Sequence, residues 1–118
     1  MRKIFVKANV KVFIEQADDK TRAKINSVLL YLTDDKNPLR EPYVKHISTA
    51  KYKELYELRV KASGEMSRLI FTLSGDNVVL LYAFKKKCDR DNTKAFERAF
   101  KMLNNIRENS EVIEIRVA

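Results

Sequence analysis

The chain has one cysteine, one histidine, two glycines, two prolines and no tryptophan among its 118 residues. A lone Cys88 excludes an internal disulfide, and with His46 as the sole imidazole no zinc-finger ligand set can be assembled. So little Gly and Pro leaves no linker signature, while a 45% hydrophobic content is enough to build a core. Long apolar runs are missing as well. Arg2 and Lys3 precede only Ile4, Phe5 and Val6 before Lys7 and Lys11, so the sequence predicts neither a secretory signal nor a membrane span. The expectation is one cytoplasmic domain over residues 1–118, with no metal and no small-molecule cofactor.

What the chain does have is positive charge. Lys and Arg number 24 against 16 Asp and Glu, a formal charge of +8. Such an excess suits a polyanionic partner, which leaves RNA, DNA, a ribosome or an acidic protein in play.

The hydrophobic pattern predicts an α+β chain. Ile4, Phe5 and Val6 are too short a run for anything but a strand. A short helix over Val10–Ala17 is followed by a longer one that Asp18 can cap, with Asp19 set at the positive end of its dipole. In that second helix Ile25, Val28, Leu29 and Leu32 recur at three- and four-residue steps and make one buried stripe. Asn37, Pro38 and Pro42 mark 34–42 as a connecting loop. Three strands follow. Residues 54–62 and 66–74 alternate, and 77–84 are nearly all apolar, as in a strand covered on both faces. Ser63-Gly64 and Gly75-Asp76 would join them as an antiparallel meander. A last helix, with Asp91, Asn92 and Thr93 as capping side chains, carries Phe96, Ala99, Leu103 and Ile106 on one stripe. Ile113, Ile115 and Val117 then alternate as a short terminal strand or a segment completed by a partner.

Pairing follows from the inward faces. If Tyr56, Leu58, Val60 and Ala62 point inward on one strand, and Leu69, Phe71 and Leu73 on the next, a two-residue turn sets Arg59 opposite Arg68 on the outer face. Two like charges across a ladder repel unless something anionic lies between them. A two-residue Gly75-Asp76 turn would then put Ala83 opposite Arg68 and Lys85 opposite Met66, gathering Arg59, Arg68 and Lys85 on the outer surface. Lys86, Lys87 and Arg90 come next, and residues 85–101 hold seven Lys or Arg against three Asp or Glu. This is a candidate phosphate-binding surface, with Lys61 beside it. The competing reading is an ordinary solvated face on which Glu57 and Glu65 pair with these cations.

The ordered set Leu55-Tyr56-Glu57-Leu58-Arg59, Arg68-Leu69-Ile70-Phe71, Val79 through Lys87 and Ala95-Phe96-Glu97-Arg98-Ala99 resembles the RelE/HigB superfamily of type II toxins, in particular its phage-derived, HigB-like branch. The upstream order of strand, two helices, Pro-bearing loop and Val44-Lys45-His46-Ile47 is similar too. The resemblance implies a RelE-like antiparallel sheet with two N-terminal helices on one face and a C-terminal helix. It implies a ribosome-dependent endoribonuclease that cuts mRNA without metal, by attack of a ribose 2′-hydroxyl on the adjacent phosphate. Arg59 and Arg68 match its basic sheet positions, and Lys85, Lys86 and Lys87 its basic element after the last meander strand; Arg59, Arg68 and Lys86 are the candidate catalytic residues, and Lys61, Lys85, Lys87 and Arg90 the candidate RNA-binding ones. Preorganised positive charge is worth most as the phosphate oxygens become more negative. His46 and Glu57 are candidate acid/base groups. Phe96 stands where some relatives have a tyrosine. Partners implied are a cognate antitoxin, the ribosome and mRNA.

Two other functions fit the same residues. A ParE-like toxin would turn the basic face to a protein target such as gyrase, and a non-catalytic relative would bind only nucleic acid or its antitoxin.

Overall fold

The computed structural model describes residues 1–108 and 112–117. Its elements are β1 (Ile4–Val6), α1 (Ala8–Gln16), α2 (Asp19–Thr33), β2 (Val44–His46), a 3-10 turn at Ala50–Tyr52, β3 (Tyr56–Ala62), β4 (Glu65–Ser74), β5 (Asn77–Lys86), α3 (Asp89–Glu108) and β6 (Ile113–Ile115). The strands form one sheet in the order β2-β3-β4-β5-β1-β6. The sheet is mixed rather than antiparallel, because β1 lies parallel to β5, with Ile4 beside Val78 and Val6 beside Leu80. The antiparallel expectation is corrected there: β1 is not sequential with its neighbour, so no hairpin dictates its direction. The terminal segment is completed within the chain, as β6 pairs antiparallel with β1.

Local chemistry fixes most boundaries. Asp18 is the N-cap of α2, its Oδ1 accepting from Thr21 N at 2.7 Å, and the same oxygen takes the Ser63 hydroxyl at 3.3 Å. That second bond ties the β3–β4 turn to the start of α2. Helix α1 begins at Ala8, two residues before the predicted start. Helix α3 begins earlier than its Asp91–Thr93 capping candidates. Asp91 instead reaches back from inside the first turn to accept from Lys87 N at 2.8 Å and Cys88 N at 3.0 Å. This is the reciprocal half of a capping box. These bonds hold the Asp91 carboxyl below its usual range.

Two cores sandwich the sheet. On one face α1 and α2 cover Ile4, Val6, Val44, Leu58, Val60, Leu69, Phe71, Val78 and Leu80, with Ile25, Val28, Leu29 and Leu32 as predicted. On the other, Ala95, Ala99 and Leu103 of α3 cover Ile47, Leu55, Ile70, Val79 and Leu81. Ile106 of the predicted stripe lies outside the described side chains. The sheet face carrying Arg68, Ile70 and Thr72 was expected to be solvated. It is the floor of this second core, since the stripe on α3 needs an apolar surface and lands there. No helix among the described residues is long and apolar enough to cross a membrane.

Candidate functional site

The β3–β4 turn determines the site. Ser63 and Gly64 have φ of 54° and 73°, the doubly positive pair of a two-residue turn whose twist matches that of the strands. Glycine takes this conformation without strain, and serine supplies the hydroxyl held by Asp18. The resulting register sets Arg59 opposite Arg68. Because Tyr56, Leu58 and Val60 turn toward α1 and α2, the intervening Glu57 and Arg59 face the α3 side with Arg68.

The anion between the two cations is Glu57. Its Oε1 accepts from Arg68 Nη1 at 2.7 Å and from Arg59 Nε at 3.1 Å. Glu57 is 2% exposed and Arg68 9%, while 27% of the Arg59 side chain is open. Glu41, 67% exposed, stands 3.6 Å from Arg59 Nη1. The arginines share one sheet face and one oxygen atom, but they do not both project into solvent as expected. Arg68 is enclosed because α3 and the loop after β2 roof this end of the sheet, and a buried guanidinium needs the charge that Glu57 provides. The ion-pair reading of Glu57 therefore describes its geometry.

The second hairpin departs from its predicted register. Ser74 pairs with Asn77 as expected, but a bulge between Ile70 and Phe71 shifts everything beyond by one residue. Phe84, not Ala83, lies opposite Arg68; Lys85 lies opposite Ser67, and Lys86 opposite Met66. The bulge exchanges the roles of two lysines. Lys85 turns to the α1 and α2 side, where it pairs with Glu65 at 3.2 Å and helps hold the Asp18 carboxyl low. Lys86 joins Lys61 across Met66 in the row beyond Arg59, Arg68 and Phe84. Lys87 and Arg90 lie past the strand end, exposed around the start of α3.

His46 is not brought to the arginines. It pairs with Tyr56 in the β2–β3 ladder, its ring tilted against that ring with centres 4.7 Å apart, and so sits on the opposite face. Its Nε2 donates to the Lys53 carbonyl. Lys45, its neighbour, is the residue paired with Glu57.

Sequence reasoning missed a polar cluster on the flank of α3. Glu97 accepts from the Tyr52 hydroxyl and from Lys51 Nζ, the latter at 3.1 Å. The Tyr52 bond and then the Lys51 bond hold the Glu97 carboxyl below its ordinary range; the same contacts push Tyr52 and Lys51 up. Tyr52 also packs on Phe96, ring centres 5.9 Å apart. A phenol thus stands beside the position where the family resemblance looked for one on the helix. Nothing local in Ala50–Tyr52 announces this contact, which spans 45 residues.

Two hollows flank α3. One, of about 220 Å³, lies along β5 and is lined by Tyr82, Phe84, Lys87, Lys94 and Arg98, among others. Tyr82 and Phe84 stack at 6.1 Å, and Arg98 lies over the Tyr82 ring while donating to its hydroxyl at 2.7 Å. Aromatic faces interleaved with cations are the elements of single-strand nucleic-acid recognition. The other hollow, of about 150 Å³, lies on the β2–β3 side and is lined by Lys45, Ile47, Ser48, Thr49, Glu57, Arg68, Asn92 and Phe96.

No curated protein and no solved structure matches the chain. A family model described as "Phage derived protein Gp49-like (DUF891)" matches residues 12–104, which run from the middle of α1 through most of α3 and so include both arginines, Glu57 and both hollows. The chain belongs to this Gp49-like family of phage-derived proteins, a toxin-like family tied to toxin–antitoxin systems.

Proposed function

We propose that the protein is the toxin of a toxin–antitoxin pair and cuts messenger RNA on the ribosome. The observation that supports this reading best is the pair of guanidiniums fixed on one carboxylate oxygen. Charge held in position before the substrate arrives costs no reorganisation when the phosphate oxygens become more negative. Arg59, the more open of the two, meets the phosphate, and Arg68 with Glu57 holds it in place. The 2′-oxygen bonds to phosphorus as the bond to the 5′-oxygen breaks, leaving a cyclic phosphate and a 5′-hydroxyl end. Lys86 gives a proton to the departing oxygen. Glu57 is too enclosed to touch RNA, so it acts as a positioning residue. The exposed carboxylate of Glu41 beside Arg59 is our candidate for accepting the 2′-hydroxyl proton. Lys61, Lys87 and Arg90 bind the flanking backbone, where each phosphate contact adds salt-dependent affinity. The antitoxin would neutralise the same basic surface.

In vitro translation followed by primer extension tests the proposal. Codon-phased cuts that depend on the ribosome support it. Breaks in DNA would point to a gyrase-directed toxin instead, and neither product would leave a protein that only binds.

A further inference from the structure

Strand β5 runs on after its neighbour on one side has left the sheet. β1 pairs with residues 78–80 only. The chain closes that side as far as Leu81, through Lys7 N on the Leu80 carbonyl at 3.0 Å and the Asn9 carboxamide on the Leu81 carbonyl at 3.2 Å. β5 itself continues to Lys86, held on its other side by β4. Main-chain directions alternate along an antiparallel ladder. Arg59 N donates to the Tyr43 carbonyl, so Arg59 turns its main chain toward β2, and Arg68 opposite turns its own toward Phe84 of β5. Ala83 and Lys85, on either side of Phe84, therefore face away from β4. Among the described residues nothing bonds to the main chain of either one. That leaves two N–H donors and two carbonyl acceptors in a row on an open edge.

A hollow lies on each side of this edge, and Lys85 borders both. On the α3 side is the space of about 220 Å³ with Tyr82, Phe84, Lys87, Lys94 and Arg98. On the α1 side a space of about 190 Å³ lies between Lys85 and Phe13, Gln16 and Ala17. A peptide extended along a strand edge sends successive side chains to opposite faces, so it would fill the two spaces in turn. Main-chain bonds then give affinity, and the hollows select side chains. The α1-side space suits an aliphatic group. The α3-side space suits a carboxylate, because cations surround it while Asp91 is committed to the Lys87 and Cys88 amides. Charge also decides between occupants: Lys85, Lys86 and Lys87 in succession repel the same edge of a second copy and attract an acidic strand.

We propose that the open edge of β5 at Ala83 and Lys85 is the docking site for an extended acidic segment of a partner protein, which continues the line of β1 as an added strand. The inference rests on the toxin–antitoxin reading only for the source of that segment. Its residues alternate between aliphatic, toward α1, and acidic, toward α3. Bound there, its carboxylates meet Lys87 and Lys94 at the end of the basic surface, so the same segment that completes the sheet also competes with RNA phosphates.

The test titrates the purified full chain with a short synthetic peptide of alternating Val and Glu, following backbone amide signals and their exchange with solvent by NMR. The Ala83 and Lys85 amides should shift and gain protection. The same peptide N-methylated at alternate residues keeps its charge and side chains but loses its bonding edge, and should not bind. Lys85→Pro deletes the outward N–H without touching the ladder to β4, since proline is tolerated on edge strands. It should weaken binding about tenfold, the worth of one hydrogen bond, and Lys85→Ala, which keeps the N–H, should bind more tightly than the proline variant. If the proline variant does not fold, the methylated peptide decides alone. Equal binding of the methylated peptide, or no binding of either, would overturn the site. Protection of these amides by an oligouridylate instead of the peptide would assign the edge to RNA and overturn it as well. The two proposals fail separately. A chain that binds the peptide at these amides but cuts no mRNA keeps the edge site and loses the ribonuclease; one that cuts mRNA but leaves the amides unprotected does the reverse.

Discussion

Arg59 Nε and Arg68 Nη1 donate to the same oxygen of Glu57, at 3.1 and 2.7 Å. The three side chains are a unit of two cations and one enclosed anion, and its members are unequally exposed. Removing one partner of a buried ion pair costs about 3–5 kcal/mol, because the other is left uncompensated. Glu57→Ala should therefore destabilise the fold by about 3 kcal/mol or more, and Arg68→Ala should come close to it. Arg59→Ala should cost about 1 kcal/mol, as its pairs are partly solvated. Urea denaturation of the three variants checks the order; equal losses would show that burial does not set it.

The two adjacent lysines should separate cleanly. Lys86 shares the arginine face and Lys85 pairs with Glu65 on the other. Lys86→Ala should lower mRNA cleavage by about 10²-fold or more, the range expected on losing a general acid, whereas Lys85→Ala should change it by no more than a few-fold. Primer-extension rates for the pair measure this, and an equal effect would mean that the bulge does not govern which lysine acts.

That bulge also shows where sequence reasoning stops. The β3–β4 register was legible because both strands alternate and a two-residue turn joins them, which left one parity and one sum. Along β5 the run Val78-Val79-Leu80-Leu81-Tyr82 is apolar on both faces, so an extra residue leaves no mark in the pattern. The arginine pair could thus be read from sequence, but not which lysine joins it. The second core was half legible. The stripe on α3 was visible, but the surface it covers was mistaken for a solvated one because Arg68 and Thr72 lie on it. Contacts across 45 residues, such as Tyr52 with Glu97, have no local signature at all.

The link between the 3-10 turn and α3 should depend on pH at both ends. Glu97 is held below its ordinary 4.5, so its contribution is present above that value and is lost as pH falls through the lowered one. Lys51 and Tyr52 are raised above 10.5 and 10.0, so theirs is complete below those values and is lost as pH climbs through the raised ones. The protection factor of amides near Tyr52, measured against the intrinsic exchange rate at each pH, should be greatest between about pH 5 and 10. Tyr52→Phe should flatten the acid limb, and an unchanged limb would remove the hydroxyl from this role.

Acid should also loosen the start of α2. Thr21 N holds the Asp18 carboxyl low, aided by Ser63. The cap is complete above pH 3.8 and fades as pH falls through the lowered value. Asp18→Asn, which keeps an acceptor, should preserve the helix start and remove its acid sensitivity; Asp18→Ala should lose the cap at every pH. Amide exchange at Thr21 and Arg22 reads both effects.

The most direct test of the central claim compares wild type and Arg59→Ala in a translation extract, mapping mRNA 5′ ends at a temperature where both are folded. Wild type should give ribosome-dependent, codon-phased ends. The variant should give them about 10²-fold more slowly or worse, as expected when a preorganised charge is lost from a transition state. Ends that form equally fast without the Arg59 guanidinium, or wild type that forms none, would contradict the account.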